Sequence, residues 1–497
     1  MSTILTIYSV EANVGKTMIG INLGVSLINE TQRSVVLVDL STDGDGILAY
    51  SVLKLLPLNP LSGREVTIEQ IKQHVQLHCS QLFLLTIDAA LVREEIAARE
   101  FAMRLFQNLR DLFDYIIVDT PSQLNRLTHE IIDLSEIIIF ISTSIDHEYP
   151  VEILGNRELR HVVNMDDEGV GRTLLQNHKC YLLPRDMLAV DTFQGSSVPF
   201  VIQVPYRPIS QMIARLARDI GKKQVGLALT GGGALGLAQL GILEVFKRNG
   251  ISVDMLTGTS FGAFIGAAYA SGVELSRFIR YLVSWALSRS YLSRVNARFF
   301  KGRFFKEKSL QLLCDEFLKD VYFEELRIPL NVIAFDIRTG KEVIFQEGNV
   351  LDAIKTSMRI PGLFVPFKHT EHYLIDNSVF SATPVVPLKQ MGAHLTIAVH
   401  VALSPGVKKR LTPKQLVAEQ NYSITAATFD SLMEQLTETP DELPNPDRMK
   451  PDVMIIPEIG EISWREFHRI NELIDVGTQA AENVISRIEE LKWGKNT

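Results

Sequence analysis

Short runs of apolar residues alternate with longer amphipathic segments along the first half of the chain. The apolar runs have strand length and read TILTIYSV, SVVLVDL, YIIVDTP and EIIIFIST, covering 3–10, 34–40, 115–121 and 136–143. Between the first two, apolar residues recur as in the helix-like segment IGINLGVSLI. Continuous apolar strands that alternate with helices are typical of a parallel sheet. The pattern therefore predicts an α/β domain built on a parallel sheet.

The second half opens with the same pattern, interrupted by two glycine-rich turns. Residues 225–273 predict a strand, a glycine loop over 231–236, a helix, a second strand, a sharp turn over 258–262 and a small-residue helix. The uncharged runs 225–243 and 255–273 approach the length of a membrane span, but glycines divide each into a strand and a helix. We therefore predict buried βα units and no membrane span.

Further elements are predicted toward the C-terminus. The stretch 323–345 reads as a strand, a turn and a strand, another apolar strand ends at Asp376, and 467–492 reads as an amphipathic helix. Residues 404–450 are rich in Pro, Glu, Asp and Lys, so we expect them at the surface. The second half is therefore also predicted to be an α/β domain.

Length and composition limit the domain count and the classes of function. A chain of 497 residues exceeds one ordinary core, and a short polar stretch at 219–224 suggests domains of 1–220 and 221–497. The formal net charge of −8 argues against a nucleic-acid partner. The three cysteines are far apart, which favours a reducing, cytoplasmic location. The N-terminus, MSTILTIYSV, has no basic segment, so we expect no signal peptide.

Residues 277–308 combine many basic residues with interleaved aromatic residues and one acid, Glu307. Such a segment suits an anionic membrane surface or a lid over a lipid site. The alternative is a solvated helix face whose aromatic side chains belong to the core.

The first strand-to-helix turn carries residues that suit a phosphate site. Gly15 is followed by Lys16, which supplies a positive charge, and by Thr17, whose hydroxyl can reach Mg²⁺. Asp39 and Asp119 end predicted strands on the same edge of the sheet. These five residues are the candidate nucleotide-binding set.

This arrangement resembles the deviant-Walker ATPases of the partition and septum-site type, over roughly residues 1–220. The resemblance implies ATP and Mg²⁺ as ligands and a homodimer. However, the signature lysine of that family falls on Glu11, its loop glycines fall on Ala12 and Asn13, and its second acid falls on Ser41. A carboxylate and two Cβ atoms in the cradle oppose anion binding, so we predict weak or absent ATPase activity. The alternative is a retained fold that serves as a docking or regulatory module.

Two kinds of chemistry fit the glycine-rich stretch of the second half. Gly231, Gly233 and Gly236 match the dinucleotide fingerprint, with Asp254 as the following acid. Asp254, however, precedes the apolar residues MLT that complete the second strand, whereas a ribose-binding acid should end that strand.

Acyl transfer is the second kind of chemistry. Gly258, Ser260 and Gly262 form a G-x-S-x-G nucleophile elbow, in which a serine is held in a strained strand-to-helix turn. The N–H groups of Gly231, Gly232 and Gly233 are the matching donors for an oxyanion. Because both motifs occur in adjacent βα turns, we favour acyl transfer.

Residues 225–497 resemble the patatin-like phospholipases, especially bacterial members related to neuropathy target esterase. The glycine loop, the elbow GTSFG, the motif SMRIPGLFVPF and the strand ending at Asp376 occur in the order of that family. The resemblance implies that Ser260 is the nucleophile, Asp376 the general base, and Gly232 and Gly233 oxyanion donors. It implies hydrolysis of phospholipid or lysophospholipid esters without a cofactor, by a cytoplasmic protein attached peripherally to a membrane.

The chain also departs from the patatin-like pattern. Asn377 and Ser378 replace the two small residues after the aspartate, and Leu235 replaces a basic residue of the glycine loop, which leaves the head-group preference open. A triad that uses a histidine is the rival arrangement, and the candidates are His369, His372, His394 and His400. The alternative function is an inactive scaffold that docks on membranes and is regulated by the N-terminal domain.

Overall fold

The computed structural model describes residues 2–40, 61, 66–87, 98–121, 125–144, 157–166, 180–186, 198–288, 307–360, 366–369, 372–377, 383–401 and 450–494. Two compact units are present, Met1–Lys223 and Gln224–Thr497. Several predicted features lie outside the described residues: Ser41, Ser378, the central part of the basic segment (289–306) and almost all of 404–450.

The N-terminal unit is built on an eight-stranded sheet with the order β3-β4-β2-β5-β1-β6-β7-β8. Its strands are β1 Thr3–Tyr8, β2 Val35–Asp39, β3 Gln76–Leu77, β4 Phe83–Thr86, β5 Tyr115–Asp119, β6 Ile137–Ser142, β7 Glu158–Asp166 and β8 Cys180–Pro184. All the neighbouring pairs along this order are parallel except β3–β4. The four predicted strands and the parallel sheet are confirmed. The apolar pattern does not predict β3, β4, β7 and β8, which are short or carry polar residues.

Helices cover both faces of this sheet. They are α1 Lys16–Thr31, α2 Ile68–His74, α3 Ala98–Leu112, α4 Arg126–Leu134, α5 Phe200–Gln203 and α6 Pro208–Ile220. Alternate residues of one strand enter opposite cores: Leu37 packs with residues of α1 and α6, whereas Val36 and Val38 pack with residues of α3 and α4. Burial on both faces explains why these strands are continuously apolar.

The C-terminal unit has a mixed sheet with the order β13-β14-β11-β10-β9-β15-β16, and β12 pairs with β11 outside this path. The strands are β9 Val225–Leu229, β10 Met255–Thr259, β11 Leu330–Asp336, β12 Lys341–Phe345, β13 Phe367–His369, β14 His372–Asp376, β15 Leu395–Val399 and β16 Val453–Ile455. The core strands β11, β10, β9 and β15 run parallel, and β14 runs antiparallel to β11. The strand, turn and strand predicted within 323–345 are confirmed as β11 and β12, although Phe323–Glu325 forms a short 3-10 helix, and the strand ending at Asp376 is also confirmed.

The helices of this unit are α7 Ala238–Arg248, α8 Ser260–Ala270, α9 Leu275–Leu287, α10 Glu307–Leu318, α11 Val350–Ser357, α12 Val385–Gln390 and α13 Ile470–Trp493. The stretches 225–243 and 255–273 form βα units, as predicted. Among the described residues, no helix has both the length and the apolar character needed to cross a membrane.

The described part of the basic, aromatic segment forms most of α9 and the start of α10. Arg277 pairs with Glu316 at 3.2 Å, and its guanidinium lies 5.5 Å from the ring centre of Phe317. Phe278 is buried, and the ring of Trp285 packs against Phe467. This part therefore matches the alternative interpretation, a solvated helix face with its aromatic side chains in the core.

Candidate active site

The elbow places Ser260 at the first residue of α8, immediately after β10. Its φ is 51°, a left-handed conformation that is uncommon outside glycine and marks stored backbone strain. A Cβ at Gly258 would lie 2.6 Å from the Cα of Ala263, and one at Gly262 would lie 2.4 Å from the carbonyl oxygen of Thr230. The two glycines therefore permit a turn too tight for larger residues, as the G-x-S-x-G pattern predicts.

A second serine holds the backbone of the elbow. The N–H of Ser260 donates to Oγ of Ser357 at 2.8 Å, and that hydroxyl donates to the carbonyl of Ile333 at 2.6 Å. Both serines are buried. Ser357 opens the motif SMRIPGLFVPF, but no local pattern predicts its role, because the contact joins residues that are distant in sequence.

The glycine loop follows β9, the strand next to β10. Since Leu229 and Gly258 are partners in register, Gly231 lies level with Ser260 at the carboxyl edge of the sheet. Gly232 and Gly233 have φ of 131° and 56°, conformations that favour glycine. Within the described part of the chain, neither of their N–H groups donates to a protein acceptor. Two adjacent donors at the elbow are therefore available to a ligand.

Other residues of the loop serve its own structure. The N–H of Gly231 donates to Oγ1 of Thr259 at 3.1 Å, so it is not available as an oxyanion donor, contrary to the expectation from sequence. Gly236 lies against Phe261, whose Cδ1 would be 3.0 Å from an added Cβ. Leu235 is fully buried in the main core, so its side chain serves packing.

Asp376 ends β14, two strands away from the elbow. Ile333 of β11 is the partner of Thr259, and the next residue of β11, Ala334, is the partner of Asp376. Ser260 and Asp376 therefore lie level on the two sides of β11, with backbones about 10 Å apart, the width of two strand spacings. The carboxylate residue is fully buried.

Asn377 and Asp336 stabilise the strands beside Asp376. Asn377 is buried and donates from Nδ2 to Oε1 of Glu342 at 3.0 Å. Asp336, at the end of β11, accepts from the backbone N–H of Tyr373 and contacts Nδ1 of His372 at 2.8 Å. Burial by itself would raise the pKa of Asp336, but its hydrogen bonds lower that pKa to about 2. Asp336 is therefore a carboxylate that anchors β14.

The position of each candidate histidine bears on the rival triad. His394 precedes β15, so it lies at the amino edge of the sheet, opposite the elbow. His372 contacts Asp336, and His369 is its register partner in the β13–β14 hairpin. His400 is buried and follows β15 at the carboxyl edge, on the side of the elbow away from Asp376.

The dinucleotide interpretation requires an acid at the end of the second strand, and Asp254 does not lie there. Asp254 precedes β10 and accepts the backbone N–H of Val225 at 3.0 Å. It therefore lies at the amino edge of the sheet, away from the glycine loop, and its hydrogen bond joins the start of β9 to the start of β10.

In the N-terminal unit, the predicted set does converge at one edge. Lys16 and Thr17 begin α1, Asp39 and Asp119 are partners in register, and the hydroxyl of Thr17 donates to Asp119. Burial first, and then the charge of Asp39, raise the pKa of Asp119 to about 7. A hydroxyl and two carboxylates are oxygen ligands of the kind that Mg²⁺ prefers, so this set fits a divalent cation.

The loop before α1 fits a triphosphate poorly. Glu11 accepts a hydrogen bond from Oγ1 of Thr143 at 2.7 Å, so its carboxylate is held at the edge of the loop. Gly15 has a φ of 86°, and a Cβ added there would lie 2.8 Å from Nδ2 of Asn164, which donates to the carbonyl of Val14. A fixed negative charge opposes a phosphate anion, as the sequence predicts.

A comparison with known protein families finds a different family for each unit. The family described as patatin-like phospholipase matches residues 227–389, and the family described as AAA domain matches residues 2–164. Both matches agree with the families predicted for the two halves of the chain.

Curated relatives include proteins named for the NTE family and for patatin-like phospholipase domains. An uncharacterized NTE family protein of Mycobacterium bovis is 30% identical over 218 residues, which cover 43% of this chain and 59% of the relative. Patatin-like phospholipase domain-containing protein 7 of Mus musculus is 29% identical over 192 residues, 38% of this chain and 14% of that protein. The chain thus spans little more than half of the first relative and a small part of the second.

Solved structures align with about two fifths of the chain. A ParA family ATPase of Chlorobium tepidum is 15% identical with a TM-score of 0.35, covering 44% of this chain and 99% of its own. The septum site-determining protein MinD of Pyrococcus horikoshii, complexed with Mg-ADP, is 17% identical with a TM-score of 0.34, covering 44% of this chain and 96% of its own.

Proposed function

We propose that this chain, whose C-terminal unit carries a patatin-like phospholipase domain, is a serine hydrolase of carboxylic esters in phospholipids or lysophospholipids. The observation that carries the proposal is the arrangement at the carboxyl edge of the sheet. A strained serine lies level with a buried carboxylate on one side and with a loop of available N–H donors on the other.

In the proposed reaction, Oγ of Ser260 attacks the ester carbonyl carbon while its proton passes to Asp376. The tetrahedral intermediate then collapses, the ester C–O bond breaks, and the alcohol leaves with that proton. A water molecule gives its proton to Asp376 and attacks the acyl-enzyme, which releases the fatty acid and restores the serine. No cofactor enters these steps.

The N–H groups of Gly232 and Gly233 are the proposed oxyanion donors, with Gly231 removed from the predicted set. One such donor typically contributes about 10²–10³ in rate. The N-terminus of α8 adds a favourable field, since Ser260 is its first residue and helix N-termini stabilise negative charge. Asp376 is fully buried, and a carboxylate that is shielded from water can serve as a general base when it is suitably oriented.

Phospholipid esters are presented at membrane surfaces, so we also propose that the protein works in the cytoplasm at a membrane to which it attaches peripherally. The head group and the acyl position stay open. A homodimer of the chain stays a prediction.

The test combines covalent labelling with product analysis. Wild-type protein should react with a fluorophosphonate at Ser260 and release fatty acid from vesicles of phospholipid or lysophospholipid. Ser260→Ala and Asp376→Asn should each lower the rate by about 10³-fold or more. Ser271→Ala, at the residue that follows the same helix, is the matched control and should keep the wild-type rate, since its hydroxyl donates to the carbonyl of Ala268. Unchanged hydrolysis by Ser260→Ala would refute the assignment.

The alternative is an inactive, membrane-docking scaffold regulated by the N-terminal unit. The carboxylate of Glu11 accepts a hydrogen bond from Thr143 and opposes phosphate binding. It therefore favours an N-terminal unit that has lost ATPase activity and kept its fold. Sedimentation with anionic vesicles but no fatty acid release from any lipid would support it. If Lys16→Ala alters neither nucleotide binding nor lipid hydrolysis, control by ATP and Mg²⁺ is excluded.

A further inference from the structure

One short turn contacts the backbones of both proposed catalytic residues. It begins at the last residue of α11 and consists of residues 357–359, here called the 357–359 turn. At its start, Oγ of Ser357 accepts the N–H of Ser260 at 2.8 Å. At its end, the carbonyl of Arg359 accepts the N–H of Asp376 at 3.0 Å.

The same turn is also fixed to the strand between the two residues. The hydroxyl of Ser357 donates to the carbonyl of Ile333 at 2.6 Å, and Ile333 belongs to β11, which separates β10 from β14. Ser357 is fully buried. Its hydroxyl thus acts as donor and acceptor at once, and it joins the elbow to the central strand.

Internal hydrogen bonds keep the turn in one shape. The N–H of Arg359 donates to the carbonyl of Thr356 at 3.2 Å, and the N–H of Ile360 donates to the carbonyl of Met358 at 2.8 Å. The guanidinium of Arg359 lies 5.8 Å from the ring centre of Phe367 on β13. A turn held in this way has little freedom to let its two ends move apart.

We propose that the 357–359 turn sets the position of Ser260 relative to Asp376, and that Ser357 is a positioning residue for the reaction. The proposal rests on the hydrolase function proposed above. Ser260 occupies a left-handed conformation, so its backbone needs an external hold to stay there. The hydroxyl of Ser357 supplies that hold at the N–H of the nucleophile itself.

Removal of the hydroxyl should change the chemistry more than the fold. Ser357→Ala leaves the N–H of Ser260 and the carbonyl of Ile333 without this bridge. Because a displacement of about 1 Å can cost about 100-fold in rate, we expect kcat to fall about 10- to 100-fold while KM stays within about twofold. The reaction with a fluorophosphonate should slow by a similar factor.

Thr356→Ala is the matched control. Thr356 is the neighbour of Ser357 on α11 and is also buried, but its hydroxyl donates to the carbonyl of Asp352 within the same helix. This variant removes a buried hydrogen bond without touching the elbow. It should lower stability slightly and leave kcat per active site unchanged.

The experiment measures kcat and KM of full-length wild type, Ser357→Ala and Thr356→Ala, each normalised to active sites titrated with fluorophosphonate. Normalisation to titrated sites corrects kcat for the fraction of the protein that is unfolded and therefore inactive. A lower kcat per titrated site in Ser357→Ala alone supports the proposal. The proposal is overturned if Ser357→Ala keeps the wild-type kcat per titrated site. It is also overturned if both variants lose titratable sites and neither changes kcat per site. If wild type neither reacts nor hydrolyses lipid, the proposed function fails, and this inference fails with it.

Discussion

Gly262 packs so closely against Thr230 that a β-carbon on the glycine would lie 2.4 Å from the threonine carbonyl oxygen. Gly262 belongs to the first turn of α8, and Thr230 is the residue between β9 and the glycine loop. The contact therefore brings the elbow and the loop together, and a side chain at this position would separate them.

Gly262→Ala should weaken both stability and catalysis. The clash is with backbone atoms of Leu229 and Thr230, which cannot move aside as a flexible side chain could, so we expect a loss of about 1–3 kcal/mol in the free energy of unfolding. Gly266→Ala, one helical turn later, is the control. Its Cβ would meet only side-chain atoms at 3.4 Å or more, so urea unfolding should show no loss, or a gain of up to about 1 kcal/mol. Equal effects of the two variants would contradict the packing argument.

Gly477→Ala should detach α13 from α7. A Cβ at Gly477 would lie 1.8 Å from the carbonyl oxygen of Ala238, which is closer than any real contact allows. We expect a loss of about 3 kcal/mol or more, since the backbones of two helices would have to separate. Limited proteolysis should then cleave α13. Gln479→Ala, at an exposed position of the same helix, should leave the cleavage rate unchanged.

Acid should remove the stabilisation supplied by Asp336. Its pKa in the folded protein is about 2, below the usual 3.8, so its contribution is present above about pH 4 and disappears as pH falls toward 2. Asp336→Asn should therefore cost about 1–3 kcal/mol at pH 6, because hydrogen bonds to a charged group are lost. Urea unfolding from pH 6 to pH 2.5 should show the difference between wild type and variant shrinking. A constant difference would show that charge is not involved.

The buried pair Asp39 and Asp119 should make the N-terminal unit less stable as pH rises. The pKa of Asp119 is raised to about 7, so between about pH 4 and 7 the folded state holds a proton that the unfolded state has lost. Asp119→Asn removes this penalty, and we expect its gain in Tm to be larger at pH 8 than at pH 5. A gain of about 1 kcal/mol corresponds to about 2–4 °C. A gain independent of pH would contradict the raised pKa.

Much of the fold followed from local patterns. Apolar runs marked β1, β2, β5 and β6, and glycine spacing marked the elbow and its loop, because each of these signals lies within one or two neighbouring elements. The strands β4, β7 and β8 were missed, since their apolar residues are fewer or are mixed with polar ones. Local signals therefore predicted the central elements better than those toward the sheet edges.

The sequence by itself determined the two α/β halves, the strained turn at Ser260 and the loss of basic charge at Glu11, because these depend on residue type and short-range spacing. Only the tertiary structure decided which groups meet. It placed Asp376 level with Ser260 across β11, engaged the N–H of Gly231 with Thr259, and brought Ser357 to the elbow. The reason is physical: strand register and hydrogen bonds between distant segments depend on how the whole sheet packs, and no local pattern records them.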